Sequence, residues 1–147
     1  MTMSFKTFFT DAQPDIQKVD LDADNETLYG AGVDMAGYKG VIFLLTVSKG
    51  EAANFALKAQ QDTASNFGSA ADLEGTSKTV AIATATDGFG FIEIVNPKER
   101  YVRPAIVCPN VGTARAISCV SIRYGAQYLP ETNSDGELHV NVAEGTA

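Results

Sequence analysis

The sequence is poor in the residue types on which many enzyme active sites depend. It has one histidine, His139, two cysteines and no tryptophan among 147 residues. A hydrolase triad needs a general base beside its nucleophile, and metal centres of the cupin type use several histidines. Structural zinc needs four ligands, which Cys108, Cys119 and His139 cannot supply. We therefore expect a protein that is not an enzyme and that binds no metal ion or cofactor.

Long hydrophobic runs are also missing. The longest, VIFLL at 41–45, is far shorter than the ~20 residues that cross a bilayer. The first nine residues, MTMSFKTFF, hold one lysine and no small-residue cleavage site, which makes a poor signal peptide. The net charge of −7 disfavours nucleic acid and anionic membranes, because both attract Lys and Arg. We expect neither as a partner.

Charge is unevenly distributed along the chain. Segments 1–34 and 125–147 are acidic, whereas residues 98–123 hold five cations and the single acid Glu99. Opposite charges of this kind could favour contact between neighbouring copies of the chain. The alternative is a solvated surface with chance asymmetry, because exposed ion pairs are individually weak. Both interpretations stay open.

One acidic motif resembles a calcium loop. The segment DLDADNE at 20–26 has alternate acids, but an EF-hand needs Gly at the sixth position and Glu at the twelfth. Asn25 and Ala31 stand there instead, so the motif fits a solvated strand face better than a calcium site. Paired carboxylates of the glycosidase type are placed by the fold, so the sequence leaves them open. Glu93, the one acid inside an apolar strand, has no apparent partner.

Short apolar segments separated by turn residues predict about eight strands, which is typical of a β-sandwich or jelly roll. Residues 41–45 are apolar throughout and should be covered on both sides. Residues 62–77 predict a long surface loop with at most one helical turn near 70–73. The predicted strands are 16–21, 26–30, 40–48, 54–61, 78–84, 89–95, 101–108 and 114–125.

The two ends of the chain fall outside this pattern. We expect one all-β domain over 16–128, because a chain of this length supports a single core. Residues 1–15 predict an arm that docks on a partner, and 129–147 predict an acidic tail that is mobile or orders on a partner. The arm carries three aromatic side chains, Phe5, Phe8 and Phe9.

The cysteines predict buried free thiols. If residues 101–108 and 115–124 formed a hairpin, Cys108 would lie opposite roughly Arg115, and the two thiols would be out of register. A disulfide stays open if a bulge shifts the pairing.

The segment NPKERYVRPAIVCP at 96–109 combines strand-forming residues with charges and prolines. Pro104 cannot donate to a sheet, which predicts an edge strand or a bulge. Charges on an edge limit unwanted pairing. Tyr101 flanked by Arg100 and Arg103 has the composition of an interface anchor. An ordinary edge strand protected by charge is the alternative.

Four segments together resemble a known family. They are VDMAGYKGVIFLLTVSKG (33–50), ALKAQQDTASNFGSAADLEGTS (56–77), ERYVRPAIV (99–107) and SIRYGAQYLP (121–130). In this order they resemble small proteins of tailed bacteriophages that are encoded beside the major capsid protein and assigned as head decoration, or cement, proteins. The most recognisable motifs are RYVRP and the Asp-Leu-x-Gly-Thr that follows the long loop.

The resemblance implies a β-sandwich or jelly-roll-like protein that binds the outer surface of an assembled capsid. Such a protein would bridge subunits of the major capsid protein, commonly as a homo-oligomer, a trimer or dimer, and would reside on the virion after assembly in the host cytoplasm. The residues themselves, not the family, give the expected interface: Phe5, Phe8, Phe9, Arg100, Tyr101 and Arg103.

A carbohydrate- or host-surface-binding module of a phage head or fibre is the alternative function. It would use the same fold and would present aromatic side chains on a loop or a sheet face. The available candidates are Tyr29, Tyr38 and Tyr128.

Overall fold

The computed structural model describes residues 12–21, 25–112 and 115–127, the first of these ranges as backbone. The described chain is all β. All eight predicted strands are present, and two short strands, β3 and β6, add to them. The strands are β1 (Ala12–Leu21), β2 (Thr27–Tyr29), β3 (Val33–Asp34), β4 (Gly40–Val47), β5 (Ala53–Asp62), β6 (Ala71–Asp72), β7 (Lys78–Ile82), β8 (Gly88–Val95), β9 (Tyr101–Val107) and β10 (Arg115–Tyr124).

The strands form two antiparallel sheets. Sheet A has the order β1-β10-β4-β8. Sheet B has β9 and β5 at its centre; β2 and β3 pair with the far side of β9, and β6 and β7 pair with the far side of β5. The expected β-sandwich is therefore confirmed.

The core lies between the two sheets and follows from strand alternation. On β4, Val41, Phe43 and Leu45 are fully buried, and on β5, Phe55 and Leu57 are buried in the same way. Alternate residues of a strand point to opposite faces, so each strand gives one row of apolar side chains to the core. Burying each of these side chains contributes roughly 1.5–3 kcal/mol.

The expectation that residues 41–45 are covered on both sides is wrong for the outer side. Ile42 and Leu44 alternate with the buried residues of β4 and stay partly exposed. Each sheet of a two-layer sandwich has one face toward the core and one face away from it. The apolar run therefore fills the core and also places apolar side chains on the outside of sheet A.

Pro104 predicts an edge strand or a bulge, and of these the edge strand is wrong. The pairing beside it is irregular: Tyr29 pairs with Ala105 and Val33 with Val102, which leaves one more residue on the side of β2 and β3 than on β9. β9 pairs with β5 on one side and with β2 and β3 on the other. The Pro104 carbonyl accepts a hydrogen bond from the Gly30 amide at 3.0 Å, so the proline nitrogen also faces the side of β2 and β3. It falls between the end of β2 at Tyr29 and the start of β3 at Val33, where the sheet needs no donor.

The predicted surface loop at 62–77 folds back onto β5. The sequence allows at most one helical turn near 70–73, and the structure has none there, because Ala71 and Asp72 form β6. Asp62 fixes the approach: its carboxylate accepts hydrogen bonds from the amides of Ala64 at 3.0 Å and Ser69 at 2.8 Å. These bonds lower the pKa of Asp62, with the Ala64 bond as the largest cause. The hydrogen bonds from nearby backbone amides to the Asp62 side chain therefore favour a tight turn after β5 over a helix.

The two cysteines lie in different layers. β9 belongs to sheet B and β10 to sheet A, so the hairpin considered for these strands does not form. Cys108 and Cys119 are buried free thiols, as predicted. Burial raises the pKa of Cys108 to about 11 and that of Cys119 to about 12. Both therefore stay protonated at neutral pH and have little nucleophilic character.

Candidate functional site

Arg103 lies on the outer face of sheet B and is held by its own chain. Its Nε and Nη2 both donate to Oε1 of Gln60, at 3.0 and 2.8 Å. Its guanidinium stacks between the rings of Tyr29, 4.1 Å from the centroid, and Phe67, 4.5 Å away. Phe67 reaches this position from a backbone with φ 53°, and Gly32 leaves the space that its ring occupies. The Arg103 guanidinium thereby joins β2, β5 and the loop that carries Phe67.

The same glutamine connects Arg103 to the β6 turn. Gln60 Nε2 donates to Asp72 at 2.7 Å, and Lys58 Nζ also donates to Asp72 at 2.7 Å. These bonds lower the pKa of Asp72, with Lys58 the larger cause. Together these side chains form what we call the polar cluster: Tyr29, Lys58, Gln60, Phe67, Asp72 and Arg103.

Arg100 forms an ion pair just before β9. Its Nε and Nη2 donate to the two carboxylate oxygens of Asp34 at 2.9 and 2.8 Å. The hydrogen bond from Arg100 is the largest cause that lowers the pKa of Asp34, to about 2. The guanidinium also lies 5.3 Å from the ring centroid of Tyr101. Its side chain remains 57% exposed, so it can also meet a partner.

Arg123 is a third cation of the basic stretch with contacts inside the chain. Its Nη1 donates to the Asp34 carbonyl at 2.9 Å, and its guanidinium lies 4.4 Å from the Tyr38 ring centroid. Asp34 therefore binds Arg100 through its carboxylate and Arg123 through its carbonyl. Much of the basic stretch at 98–123 is thus used to join β3, β9 and β10.

The outer face of sheet A differs in chemistry. Phe91 pairs with Leu44, which pairs with Val120; the next row places Ile42 beside Ile122. Phe89 and Phe91 are 63% and 55% exposed, and their ring centroids are 6.5 Å apart. We call this surface the apolar face: Ile42, Leu44, Phe89, Phe91, Val120 and Ile122. Contiguous exposed apolar surface of this kind marks interaction sites in soluble proteins.

The apolar face escaped the sequence analysis, although the sequence carries its signal. In GFGFIEIV, the segment of β8, one set of alternate residues reads Gly, Gly, Ile, Ile and the other reads Phe, Phe, Glu, Val. The larger side chains lie on the second set, which the structure exposes. If aromatic residues were assumed to point to the core, Phe89 and Phe91 would be placed on the wrong face of β8.

Glu93 has a partner on the same face. The Tyr124 hydroxyl donates to Glu93 Oε1. Gly40 pairs with Tyr124 on one side and with Val95 on the other, and its missing side chain leaves room for the Tyr124 ring to reach Glu93. Burial raises the pKa of Tyr124 to about 12, and the Glu93 contact adds to this. The phenol therefore stays protonated and caps the carboxylate at neutral pH.

One open depression lies at the end of the sandwich beside the Arg100 ion pair. It has a volume of about 410 Å³, and Tyr38, Asn96, Lys98 and Glu99 contribute to its wall. Tyr38 is one of the three tyrosines considered for a carbohydrate site. The ring of Tyr38 already stacks on Arg123, and Tyr29 stacks on Arg103, so both rings have an intramolecular role.

The described residues contain no cluster of three or more His, Cys, Asp or Glu side chains that could hold a metal ion. Within the same ranges, no helix has the length and apolarity needed to cross a membrane. His139, Tyr128 and the anchors expected in the arm, Phe5, Phe8 and Phe9, lie outside the described residues.

Comparisons with known proteins identify the fold. No protein-family model matches the sequence, and a search of curated proteins finds no match. The structure is similar to that of the PBSX exported protein XepA, with a TM-score of 0.52, 14% identity and coverage of 97% of this chain. This chain spans 47% of the XepA chain, about half of its length.

A chain from the Bacillus endospore appendages, which form disulfide-linked pili, gives a TM-score of 0.44. It shares 13% identity with this protein, and the match covers 86% of this chain and 99% of that chain. At 14% identity the likeness to XepA concerns the fold alone, and this protein shares a β-sandwich architecture with it.

Proposed function

We propose that this protein is a structural virion protein that binds the outer surface of a tailed-phage capsid and stabilises the shell by bridging capsid subunits. The major capsid protein is the proposed partner, and the capsid exterior is the proposed location after assembly in the host cytoplasm. No bond is made or broken in this role. The protein acts by binding alone.

The observation that supports the proposal most is that the two motifs of the family resemblance, RYVRP and DLEGT, both contact Gln60. Arg103 belongs to RYVRP, Asp72 begins DLEGT, and both hydrogen-bond the side chain of Gln60. Thr76, which ends DLEGT, donates its hydroxyl to the Leu73 carbonyl at 2.8 Å and accepts the Ala59 amide at 3.2 Å. The residues that carry the resemblance are thus hydrogen-bonded to the same strand, β5, as is expected when a motif is kept for the fold.

Binding to an assembled shell is sufficient for stabilisation. A protein that binds the assembled form and not the dissociated subunits shifts the equilibrium toward the shell by mass action. Repetition over many equivalent sites makes modest individual contacts sufficient. The exposed guanidinium of Arg100 and the half-buried Tyr101 are the described residues that we propose for this contact. Arg103 supports them from within the polar cluster.

The proposal is tested by adding the purified protein to phage heads that lack it. We expect saturable binding, with a fixed number of copies per head, and a higher temperature of head disruption. The same titration on dissociated capsid subunits serves as the control. Heads that bind no protein and break at an unchanged temperature would contradict the proposal.

The carbohydrate-binding alternative has less support in the structure. Sugar-binding sites present free aromatic faces, whereas Tyr29 and Tyr38 both stack on arginines of this chain. A glycan array separates the two functions, because specific glycan binding with no binding to heads would favour the alternative.

A further inference from the structure

We propose that β8 is the self-association strand of this protein: the edge that no described strand occupies pairs with β8 of a second copy in an antiparallel, two-fold arrangement that places the two apolar faces side by side. This inference deepens the oligomeric part of the proposed function and rests on that function for its biological role.

The edges of the two sheets are built differently. Both edges of sheet B are interrupted: one consists of β2 and β3, with three and two residues, and the other of β6 and β7, with two and five. Short edge strands are a common device against unwanted pairing. β8, at one edge of sheet A, is instead a continuous strand of eight residues.

β8 also lacks the other protective devices. Its sequence, GFGFIEIV, has no proline and no lysine, and Glu93 is its one charged residue. Its only strand partner within the described chain is β4. β7 packs against the core side of β8 at Gly88 and Gly90, and no strand among the described residues pairs with the outer edge of β8. An edge of this length and polarity is a template for another strand.

The charge of the surface fits a second copy of the same chain. Two identical molecules bring identical groups together, and like charges at such a contact are destabilising. Among the outward residues of β8, β4 and β10, Glu93 is the only charged one, and Tyr124 caps it. The chain as a whole carries −7, so this surface is unusual in bringing almost no charge to a homotypic contact.

Alternation makes the strand self-complementary. An antiparallel pair keeps the same face on both strands, so Phe89 and Phe91 of each copy would lie on one continuous outer surface. Cross-strand aromatic pairs are among the more favourable pairs in sheets. Two-fold dimers are the commonest symmetric assemblies, because one patch serves both partners.

The apolar face also supplies area. A stable interface buries roughly 800 Å² on each partner, and each of the two exposed phenylalanines offers on the order of 100 Å² of that. Side-chain area over β8 alone therefore falls short, and the main-chain hydrogen bonds of the added strand pair supply the rest of the affinity. A pair joined at β8 would form one continuous eight-stranded sheet from two copies of the four-stranded sheet A.

The test uses the purified full-length chain in sedimentation velocity over a range of concentrations. We expect the wild-type protein to form dimers and Phe91→Asp to weaken dimerisation by more than about tenfold, because the variant places a charge inside the contact. The matched control is Thr79→Asp, which adds the same charge at an exposed position on β7. It should dimerise like the wild type.

A second measurement needs no variant. Amide hydrogen exchange in β8 should become slower as the wild-type concentration rises, whereas exchange in β5 should not change with concentration. A wild-type monomer at all concentrations would overturn the inference, and so would dimers that Phe91→Asp leaves intact or β8 exchange independent of concentration. Dimers that form only after removal of residues 1–11 would overturn it too, because the chain's own N-terminal segment would then cover the surface.

The two proposals can fail separately. Self-association is measured without heads, whereas capsid binding is measured with them. A dimer that does not bind heads would contradict the proposed function and leave the β8 contact standing. A monomer that saturates heads would do the reverse.

Discussion

The outer faces of the two sheets differ in how their side chains are satisfied. On sheet B the polar cluster ties Lys58, Gln60, Asp72 and Arg103 to one another, and interrupted strands close both edges. On sheet A the apolar face exposes Phe89 and Phe91 beside a continuous edge strand. Groups that are satisfied within the chain have little left to offer a partner, whereas exposed apolar groups gain from being covered.

The basic stretch that predicts an interface also has partners within the chain. A run of charges around an aromatic residue suggests an interface, but most of its partners lie in the same chain. Arg103 is used to join β2, β5 and the loop that carries Phe67. Charge in a sequence therefore indicates an interface only after intramolecular partners are accounted for.

Replacement of Arg103 should give the largest loss of stability. Arg103→Glu removes two stacked rings and two hydrogen bonds and places a carboxylate near Asp72, so we expect the free energy of unfolding to fall by about 2–3 kcal/mol. Urea denaturation measures this. Arg103→Lys is the control, since it keeps the charge without the planar fork and should lose less. An unchanged midpoint for Arg103→Glu would show that the polar cluster contributes nothing.

Crowding the contact between β7 and β8 should have the next largest effect. A Cβ on Gly90 would lie 2.6 Å from Val80 Cγ2, so Gly90→Ala should lower the free energy of unfolding by about 1–3 kcal/mol. Pairing it with Val80→Ala should restore part of the loss relative to the sum of the single variants. Strict additivity of the two changes would argue against this contact.

The ion pair between Arg100 and Asp34 predicts a small pH dependence. The folded pKa of Asp34 is lowered to about 2, so its contribution is complete above the unfolded pKa near 4 and is lost as the pH falls toward 2. Because both side chains are partly exposed, we expect less than about 1 kcal/mol. Asp34→Asn should flatten the unfolding free energy between pH 4 and 2. A slope equal to that of the wild type would assign the dependence to other carboxylates.

The smallest effect on monomer stability is expected at the apolar face. Phe91→Ser removes an exposed ring, so at a concentration where the protein is monomeric its unfolding free energy should stay within about 0.5 kcal/mol of the wild type. Its solubility should rise. A loss as large as that of Arg103→Glu would show that the ring stabilises the monomer and is not held for a partner.

Much of the fold could be predicted because strand patterning is local. The alternation in β5 and the apolar run in β4 depend on neighbouring residues only, and both strands appear close to their predicted bounds. The place of Pro104 could not be predicted, because it depends on a gap between β2 and β3, some 70 residues away in sequence. Gln60 gives no signal either, since its role depends on Asp72 and Arg103 meeting it across two strand pairings.

The most direct test of the central claim, that this protein works by binding a repeating shell through its surfaces, is electron cryomicroscopy of heads that lack the protein after it has been added back. We expect added density on the outer surface at symmetry-related positions, with the sandwich resolved and neighbouring copies joined along β8. A map identical to that of undecorated heads, at protein concentrations that leave the protein folded and soluble, would contradict it.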